Sequence, residues 1–214
     1  MRLTLFVTFL ALATACTRDQ APSTLALAPK GLGDAHRVVV ERPVTPIVRD
    51  DGAREISPAE ASRQKSLTLH SGKPFTGRVV SKHANGTTKS IATYADGRPH
   101  GRALTWYDNG QLRDERYYEN GEKTGTHRGW WEDGKARFLY NFRAGDYHGV
   151  KLEWHTGGQI ASWQHFERGR EQGTQQTWRS DGRFDANYVV RDGRIYGNRG
   201  SRLCVTLRDG ETAR

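Results

Sequence analysis

The chain has 214 residues, of which 35% are hydrophobic, and it carries a formal net charge of +9. This length is enough for one ordinary domain or a short array of repeats. The aliphatic content is too low for a large globular core, whereas six Trp, eight Tyr and seven Phe exclude a wholly disordered chain. Together with 24 glycines, the aromatic residues favour a thin β-sheet. The positive charge is compatible with nucleic acid, an anionic membrane surface or a solvated face.

The amino terminus has the pattern of an export signal. Arg2 precedes an apolar run from Leu3 to Ala13, which is much shorter than the ~20 residues that span a bilayer. Ala15 and Cys16 follow, and they resemble the bacterial lipobox, in which the cysteine is acylated and becomes the new amino terminus. Ordinary cleavage after Ala15, which leaves Cys16 free, is the alternative. By resemblance to proteobacterial lipoproteins, Thr17 favours the outer membrane, so we expect a lipoprotein of the cell envelope.

The next segment lacks a sustained period. Residues 16 to 66 contain scattered prolines and charges, and we interpret them as the lipidated cysteine and a flexible tether. The capping-box pattern from Ser57 to Glu60 predicts one or two helical turns. The predicted organisation is therefore a signal peptide (1–15), a tether (16–66), a repeat sheet (67–201), and a C-terminal capping strand and tail (202–214).

Three sets of glycines recur with a period of 24 residues. The first set is Gly77, Gly101, Gly125, Gly149, Gly173 and Gly197. The second set is Gly86, Gly110, Gly134, Gly158 and Gly182. The third set is Gly97, Gly121, Gly145, Gly169 and Gly193. Because three independent sets share one period, the sequence indicates five repeats.

The residues before the glycines predict β-hairpin turns. Asn85, Asn109, Asp133, Gly157 and Asp181 precede the second set. Such pairs tolerate positive φ at both central positions of a two-residue turn. In the third set, Asp96, Asn120 and Asp192 fit the same pattern, and Ala144 and Arg168 fit it less well. Each repeat is then two strands and two turns, which predicts an all-β, single-layer antiparallel meander of about ten strands.

The period also aligns side chains in columns. One column holds Lys82, Trp106, Trp130, Trp154 and Trp178. A second holds Tyr94, Tyr118, Phe142, Phe166 and Val190. A third holds Thr88, Leu112, Ala136, Ile160 and Phe184. Leu112 and Tyr118 are six residues apart in one strand, so we expect them on one face, in a single stripe of stacked rings. The columns that contain Tyr117 and Trp163 are expected on the opposite face.

One unit of the repeat resembles a known family. Gly101, Trp106, Asn109-Gly110, Tyr118 and Asn120-Gly121 form a pattern that resembles the MORN repeat, and more closely the bacterial MORN-variant (YwqK-type) family. The resemblance covers residues 77 to 197. It implies a curved sheet of stacked hairpins and a role in protein or membrane-surface interactions, and it implies no reaction. Some members of the family carry an antitoxin label. A typical antitoxin meets its toxin in the cytoplasm, which disagrees with an export signal. A toxin-neutralising role is therefore only an alternative.

The sequence shows no hydrolase, metalloprotease or nucleotide-binding motif. The eight histidines are scattered: His148 and His155 lie roughly 23 Å apart if their strand is extended. A metal site needs three or four converging ligands. We therefore expect neither an enzyme nor a metal or cofactor, with an envelope hydrolase of unrecognised site as the alternative.

Cys204 follows the last repeat. We expect it to be a small hydrophobic residue in a capping strand from Leu203 to Leu207. An intermolecular disulfide, a redox role or a soft-metal contact are the alternatives.

Four aromatic residues are the predicted binding anchors. Tyr107, Tyr117, Trp131 and Trp163 are expected to be exposed, and rigid aromatic side chains give contact area at a low cost in entropy. The expected partner is an envelope protein, or an anionic lipid headgroup or surface polymer. Because the chain carries an export signal, nucleic acid is not expected.

Overall fold

The structure is a computed structural model that describes residues 53–200. The signal peptide, Cys16, Cys204 and the capping strand predicted at Leu203–Leu207 lie outside the described residues. The described part consists of sixteen strands and has no helix. The first four strands are Glu55–Ile56 (β1), Ala61–Gln64 (β2), Leu67–His70 (β3) and Lys73–Pro74 (β4). The strands of the repeat region are Gly77–Lys82 (β5), Thr88–Ala95 (β6), Arg98–Trp106 (β7), Leu112–Glu119 (β8), Glu122–Lys123 (β9), Gly125–Trp130 (β10), Ala136–Arg143 (β11), Asp146–Trp154 (β12), Ile160–Glu167 (β13), Arg170–Trp178 (β14), Phe184–Arg191 (β15) and Arg194–Asn198 (β16).

Strands β5 to β16 form an antiparallel meander in chain order, except that the short β9 pairs with β8 beside β10, and this confirms the predicted fold class. The large sheet has 13 strands, because β1 adds to its first edge in parallel with β5. Strands β6, β8, β11, β13 and β15 begin at 24-residue intervals. Strands β2 to β4 form a separate three-stranded sheet. Residues 53–200 contain no long apolar helix of the kind that crosses a bilayer.

The turns at the second set of glycines differ from the prediction. Gly86 has φ of 84°, and Asn85 does not have positive φ. The Gly86 N–H donates to His83 O at 3.0 Å, and the His83 N–H donates to Thr87 O at 2.8 Å, which is a three-residue loop ending in a left-handed glycine. Asn85 Oδ1 accepts from the Thr87 N–H at 3.0 Å. The prediction of a two-residue turn is therefore wrong here. Asn or Asp before the glycine serves as a side-chain acceptor for a backbone N–H of the loop, and it does not supply positive φ.

The turns at the third set of glycines confirm the prediction. Both central residues have positive φ, as at Asp96 (47°) and Gly97 (77°). Ala144 (48°) and Arg168 (49°) adopt the same left-handed conformation without a side chain that favours it. The Gly97 N–H also donates to Phe75 O at 2.8 Å, so the turn is fastened to the preceding part of the array.

A β-bulge after the first turn of each repeat changes which residues share a face. Trp106 pairs with Leu112 and Thr105 pairs with Asp114, so Arg113 is an extra residue in β8. Because a bulge places two residues opposite one, Leu112 moves to the face of Trp106. Equivalent register shifts occur in the other repeats. The prediction that Leu112 and Tyr118 share a face is wrong for this reason.

The bulges divide the aromatic residues between two faces. The tryptophan face carries Trp106, Trp130, Trp154 and Trp178 in two apolar clusters. The ladder face carries a chain of ring contacts, namely Tyr118 to His127 (5.7 Å), His127 to Phe142 (4.5 Å), Phe142 to Tyr147 (4.6 Å) and Tyr147 to Phe166 (5.3 Å). The single predicted stripe is thus two stripes, one on each face.

The N-terminal strands close the first end of the array. Phe75 and Ile56 are buried, and the Thr68 N–H donates to Gly97 O at 2.7 Å. Strands β1 and β2 lie before residue 66, so the predicted tether boundary is too late. Glu60 Oε2 accepts from the Ser57 backbone N–H at 2.8 Å and from its hydroxyl at 2.7 Å, but β2 begins at Ala61. A capped turn therefore replaces the predicted helix.

Candidate functional site

Tyr107 is half-buried, and its hydroxyl is already engaged. It donates to Trp130 O at 3.1 Å, across 23 residues of chain. His83 and His155 make equivalent contacts, each with Nε2 at 3.0 Å from a tryptophan carbonyl 23 residues further on. Because three repeats share this contact, it joins neighbouring hairpins. The position of Tyr107 is thus explained by the fold.

Trp131 is half-buried beside a charged side chain. The Arg137 guanidinium lies 5.6 Å from the centre of its ring, within the range of a cation–π contact. Only part of the ring is therefore available to a partner. Its indole nitrogen is buried and has no hydrogen-bond partner among the described residues.

Tyr117 lies half-buried on the tryptophan face. Its hydroxyl donates to Glu115 Oε1 at 2.9 Å, and Arg102 Nε donates to the same oxygen at 2.6 Å. Burial, followed by the hydrogen bond to Glu115, raises the pKa of Tyr117. Tyr117 thus belongs to a partly buried polar network, and its ring is only partly exposed.

Trp163 is buried, and the prediction that it is exposed is wrong. It is 8% exposed and packs in one cluster with Leu152, Trp154, Ile160 and Trp178. The bulge in the β12–β13 pair accounts for this, because it places Ile160 on the same face as Trp163. The four predicted anchors therefore do not form one exposed surface.

The ladder face contains a depression that the sequence did not indicate. Its volume is about 300 Å³. The side chains that line it are Arg116, Lys123, His127, Arg137, Phe138, Tyr140, Phe142 and Tyr147. We call this site the cationic depression, because it combines three permanent cations with four aromatic rings.

The aromatic rings of the depression stack on one another. Phe138 lies 4.4 Å from Tyr140 with an interplanar angle of 18°, and Phe142 lies 4.6 Å from Tyr147 at 29°. Phe138 fits because Gly129 stands opposite it, where a Cβ atom would meet the ring at 2.1 Å. Burial, and then the hydrogen bond to Glu153, raise the pKa of Tyr140.

Two of the cations are positioned by one buried carboxylate. Asp114 is 1% exposed and accepts hydrogen bonds from Arg113 (2.8 Å), Arg116 (3.1 Å) and Arg137 (3.0 Å). Three guanidinium groups around one carboxylate leave an excess of positive charge. Lys123 adds a further cation, with Nζ 5.0 Å from the Phe142 ring centre.

His127 forms part of the lining of the depression. It is buried, and its Nε2 donates to Tyr117 O at 2.8 Å. Burial lowers the pKa of the imidazole and so favours its neutral form. Gln175 makes the equivalent contact two repeats later, where Nε2 donates to His165 O at 2.7 Å. His127 thus has a structural role.

The depression favours the binding of anions over acid–base chemistry. Two carboxylates adjoin it: Asp114 is enclosed by arginines, and Glu153 accepts from the Tyr140 hydroxyl and pairs with Lys151. No cluster of three or more potential metal ligands occurs within residues 53–200. Sequence reasoning missed the site because Arg137 lies one repeat away from Asp114. In the run Arg113-Asp114-Glu115-Arg116 acids and bases alternate, which is typical of a solvated face, although Asp114 is buried.

Comparison with known proteins bears on the hairpin next to the depression. The family model for the MORN repeat variant matches residues 99–120, which include most of β7 and β8. No curated protein matches the chain. The matched segment contains Asp114 and Arg116, so one wall of the depression is built from it. Repeats of this kind suggest a binding domain. Residues 99–120, in the hairpin formed by β7 and β8, are thus similar to the MORN repeat variant.

Proposed function

We propose that this protein is a non-catalytic binding module of the bacterial envelope, which presents the ladder face of its sheet to an anionic partner. The observation that carries the proposal is the cationic depression. Arg116 and Arg137 converge there on a buried carboxylate, and Lys123 is exposed beside them. Binding sites commonly combine apolar walls with a few polar groups that fix orientation.

The non-catalytic part of the proposal is supported by the state of the acidic residues. A general acid or base must reach the reacting atoms. Asp114 is enclosed by three arginines, and Glu115 is buried and bound by Arg102 and Tyr117. Glu153, which is 37% exposed beside the depression, is bound by Tyr140, Ser162 and Lys151. Each of these three carboxylates therefore already has hydrogen-bond partners.

The location rests on the export signal and on Cys16. Acyl chains on this cysteine would hold the sheet at a membrane, because each buried methylene contributes ~0.8 kcal/mol. Metabolic labelling with a palmitate analogue should mark the wild-type protein and leave the Cys16→Ser variant unmarked. An unlabelled wild-type protein would remove the anchor from the proposal.

The binding role is tested by crosslinking in intact cells. The double variant Lys123→Gln, Arg137→Gln should lose the crosslinked species that the wild-type protein forms. The matched control is Lys89→Gln, because Lys89 is exposed on β6, outside the depression. If the double variant crosslinks like the wild type, the partner binds elsewhere and the assignment of the ladder face is wrong.

A further inference from the structure

We propose that the cationic depression binds a carboxylated sugar ring of an acidic polysaccharide. This inference rests on the proposed function and names the class of partner. Its starting point is the shape of the site: a depression of about 300 Å³ admits one six-membered ring with its charged group. The cations and the rings lie side by side, with Lys123 Nζ 5.0 Å from the Phe142 ring centre and the Arg137 guanidinium 5.1 Å from that of Phe138, so one ligand would contact both.

The cations suit a carboxylate. Arg116 and Arg137 are held by Asp114, and their side chains are 42% and 25% exposed, so part of each planar fork remains accessible. Planar guanidinium groups recognise carboxylates through paired hydrogen bonds. Lys123 takes part in no ion pair with another residue of the described region, so its charge is available to a ligand.

The rest of the ladder face favours a hydroxyl-rich chain over a membrane. Next to the depression, Lys151 Nζ donates to Gln164 Oε1 at 3.0 Å, and the two residues are register partners on β12 and β13. Ser162 and Gln164 are uncharged hydrogen-bonding groups on the same face. Glu153 also lies there, 37% exposed and 3.1 Å from Lys151 Nζ, so this neighbouring area has no excess of positive charge for a continuous sheet of anionic headgroups.

The aromatic rings supply the remaining contact. Tyr140 and Tyr147 are half-buried and meet at 90°, with ring centres 5.8 Å apart. The C–H groups of a sugar ring pack against such surfaces, whereas an isolated inorganic anion gains nothing from them. The combination of rings, amide groups and converging cations therefore favours an acidic sugar over a simple anion.

The test is calorimetric titration of the full-length lipidated protein in detergent, at low salt. The probe is an oligogalacturonate, and the comparison ligands are its methyl ester, an oligoglutamate of equal charge and inorganic phosphate. We expect the oligogalacturonate to bind, and the methyl ester to bind about tenfold more weakly, because a charge-assisted hydrogen bond is lost. Lys123→Gln should have a similar effect, and Lys89→Gln should have none.

A second variant separates sugar recognition from charge. Tyr147→Leu should weaken binding of the oligogalacturonate and leave the thermal unfolding midpoint close to that of the wild type. Oligoglutamate binding as tight as that of oligogalacturonate would overturn the inference and assign the site to an acidic peptide. Phosphate that displaces the probe at equal concentration would also overturn it. Loss of crosslinking in cells without oligogalacturonate binding would leave the proposed function standing and refute only the sugar.

Discussion

The guanidinium of Arg137 donates to the carboxylate of Asp114 at 3.0 Å, although 23 residues separate them in the chain. The contact joins β8 to β11 across the intervening β10. It ties two repeats together on the ladder face and also aims the Arg137 side chain at the depression. The stability of the array and the shape of the site therefore depend on the same carboxylate.

Replacement of Asp114 by Asn should weaken folding. The variant keeps the size of the side chain but loses its charge, so three guanidinium groups remain without their shared partner. We expect the free energy of unfolding to fall by about 1–3 kcal/mol. Urea denaturation measures this. Asp133→Asn is the control, because Asp133 is exposed at a turn and its Oδ1 acceptor is retained in Asn. Equal effects of the two variants would show that the Asp114 cluster adds no stability.

The pair formed by Gly129 and Phe138 should depend on steric fit. Gly129→Thr places a Cβ atom within the space of the Phe138 ring, and overpacking of this kind costs about 1–3 kcal/mol. The double variant Gly129→Thr, Phe138→Ala should recover much of this loss, because Thr177 and Ala186 form the equivalent pair between β14 and β15. A double-mutant cycle measures the coupling. Additive effects would mean that the ring does not contact Gly129 in solution.

The turn at Ala144 offers a stabilising change. Ala144 adopts φ of 48°, a conformation that Asn tolerates better than Ala. Ala144→Asn should raise the free energy of unfolding by about 0.5–1 kcal/mol. The reverse change, Asn120→Ala at the equivalent turn, should lower it by a similar amount. Thermal unfolding compares the two variants with the wild type. If both changes shift the midpoint in the same direction, the turn conformation is not the cause.

His127 should make stability depend on pH. Burial lowers the pKa of its imidazole in the folded state. Below a pH of about 6.5, the ordinary pKa of a histidine side chain, the unfolded state therefore binds more protons than the folded state. Stability should therefore fall as the pH drops through this value towards the folded-state pKa. His127→Gln should reduce the dependence, because Gln175 shows that an amide can make the same bond. Urea denaturation at pH 8 and pH 5.5 compares the two proteins. An unchanged pH profile in the variant would exclude His127 as its source.

The fold was predictable from the glycines, and the site was not. Positive φ at Gly97 and its equivalents follows from the residue type, so the turn residues alone predict the antiparallel meander. The bulge at Arg113 leaves no such mark, and it decides the face of Leu112. For the same reason, Trp163 was expected in solvent and is found in a core cluster. The Trp163→Ala substitution is thus expected to impair folding, so a loss of binding in this variant would not identify a contact with a partner.

The fastening of each turn to the preceding strand also governs how the protein bears load. The Gly121 N–H donates to Pro99 O at 2.8 Å, and the Gly145 N–H donates to Lys123 O at 2.9 Å, so each of these turns is fastened to the hairpin before it. A pull between the two ends of the sheet acts along these bonds, and because the junctions lie in series each of them carries the full load. Tension on a polymer held in the cationic depression would then load the hairpins between the depression and the N-terminal strands, while the hairpins beyond the depression bear none of it.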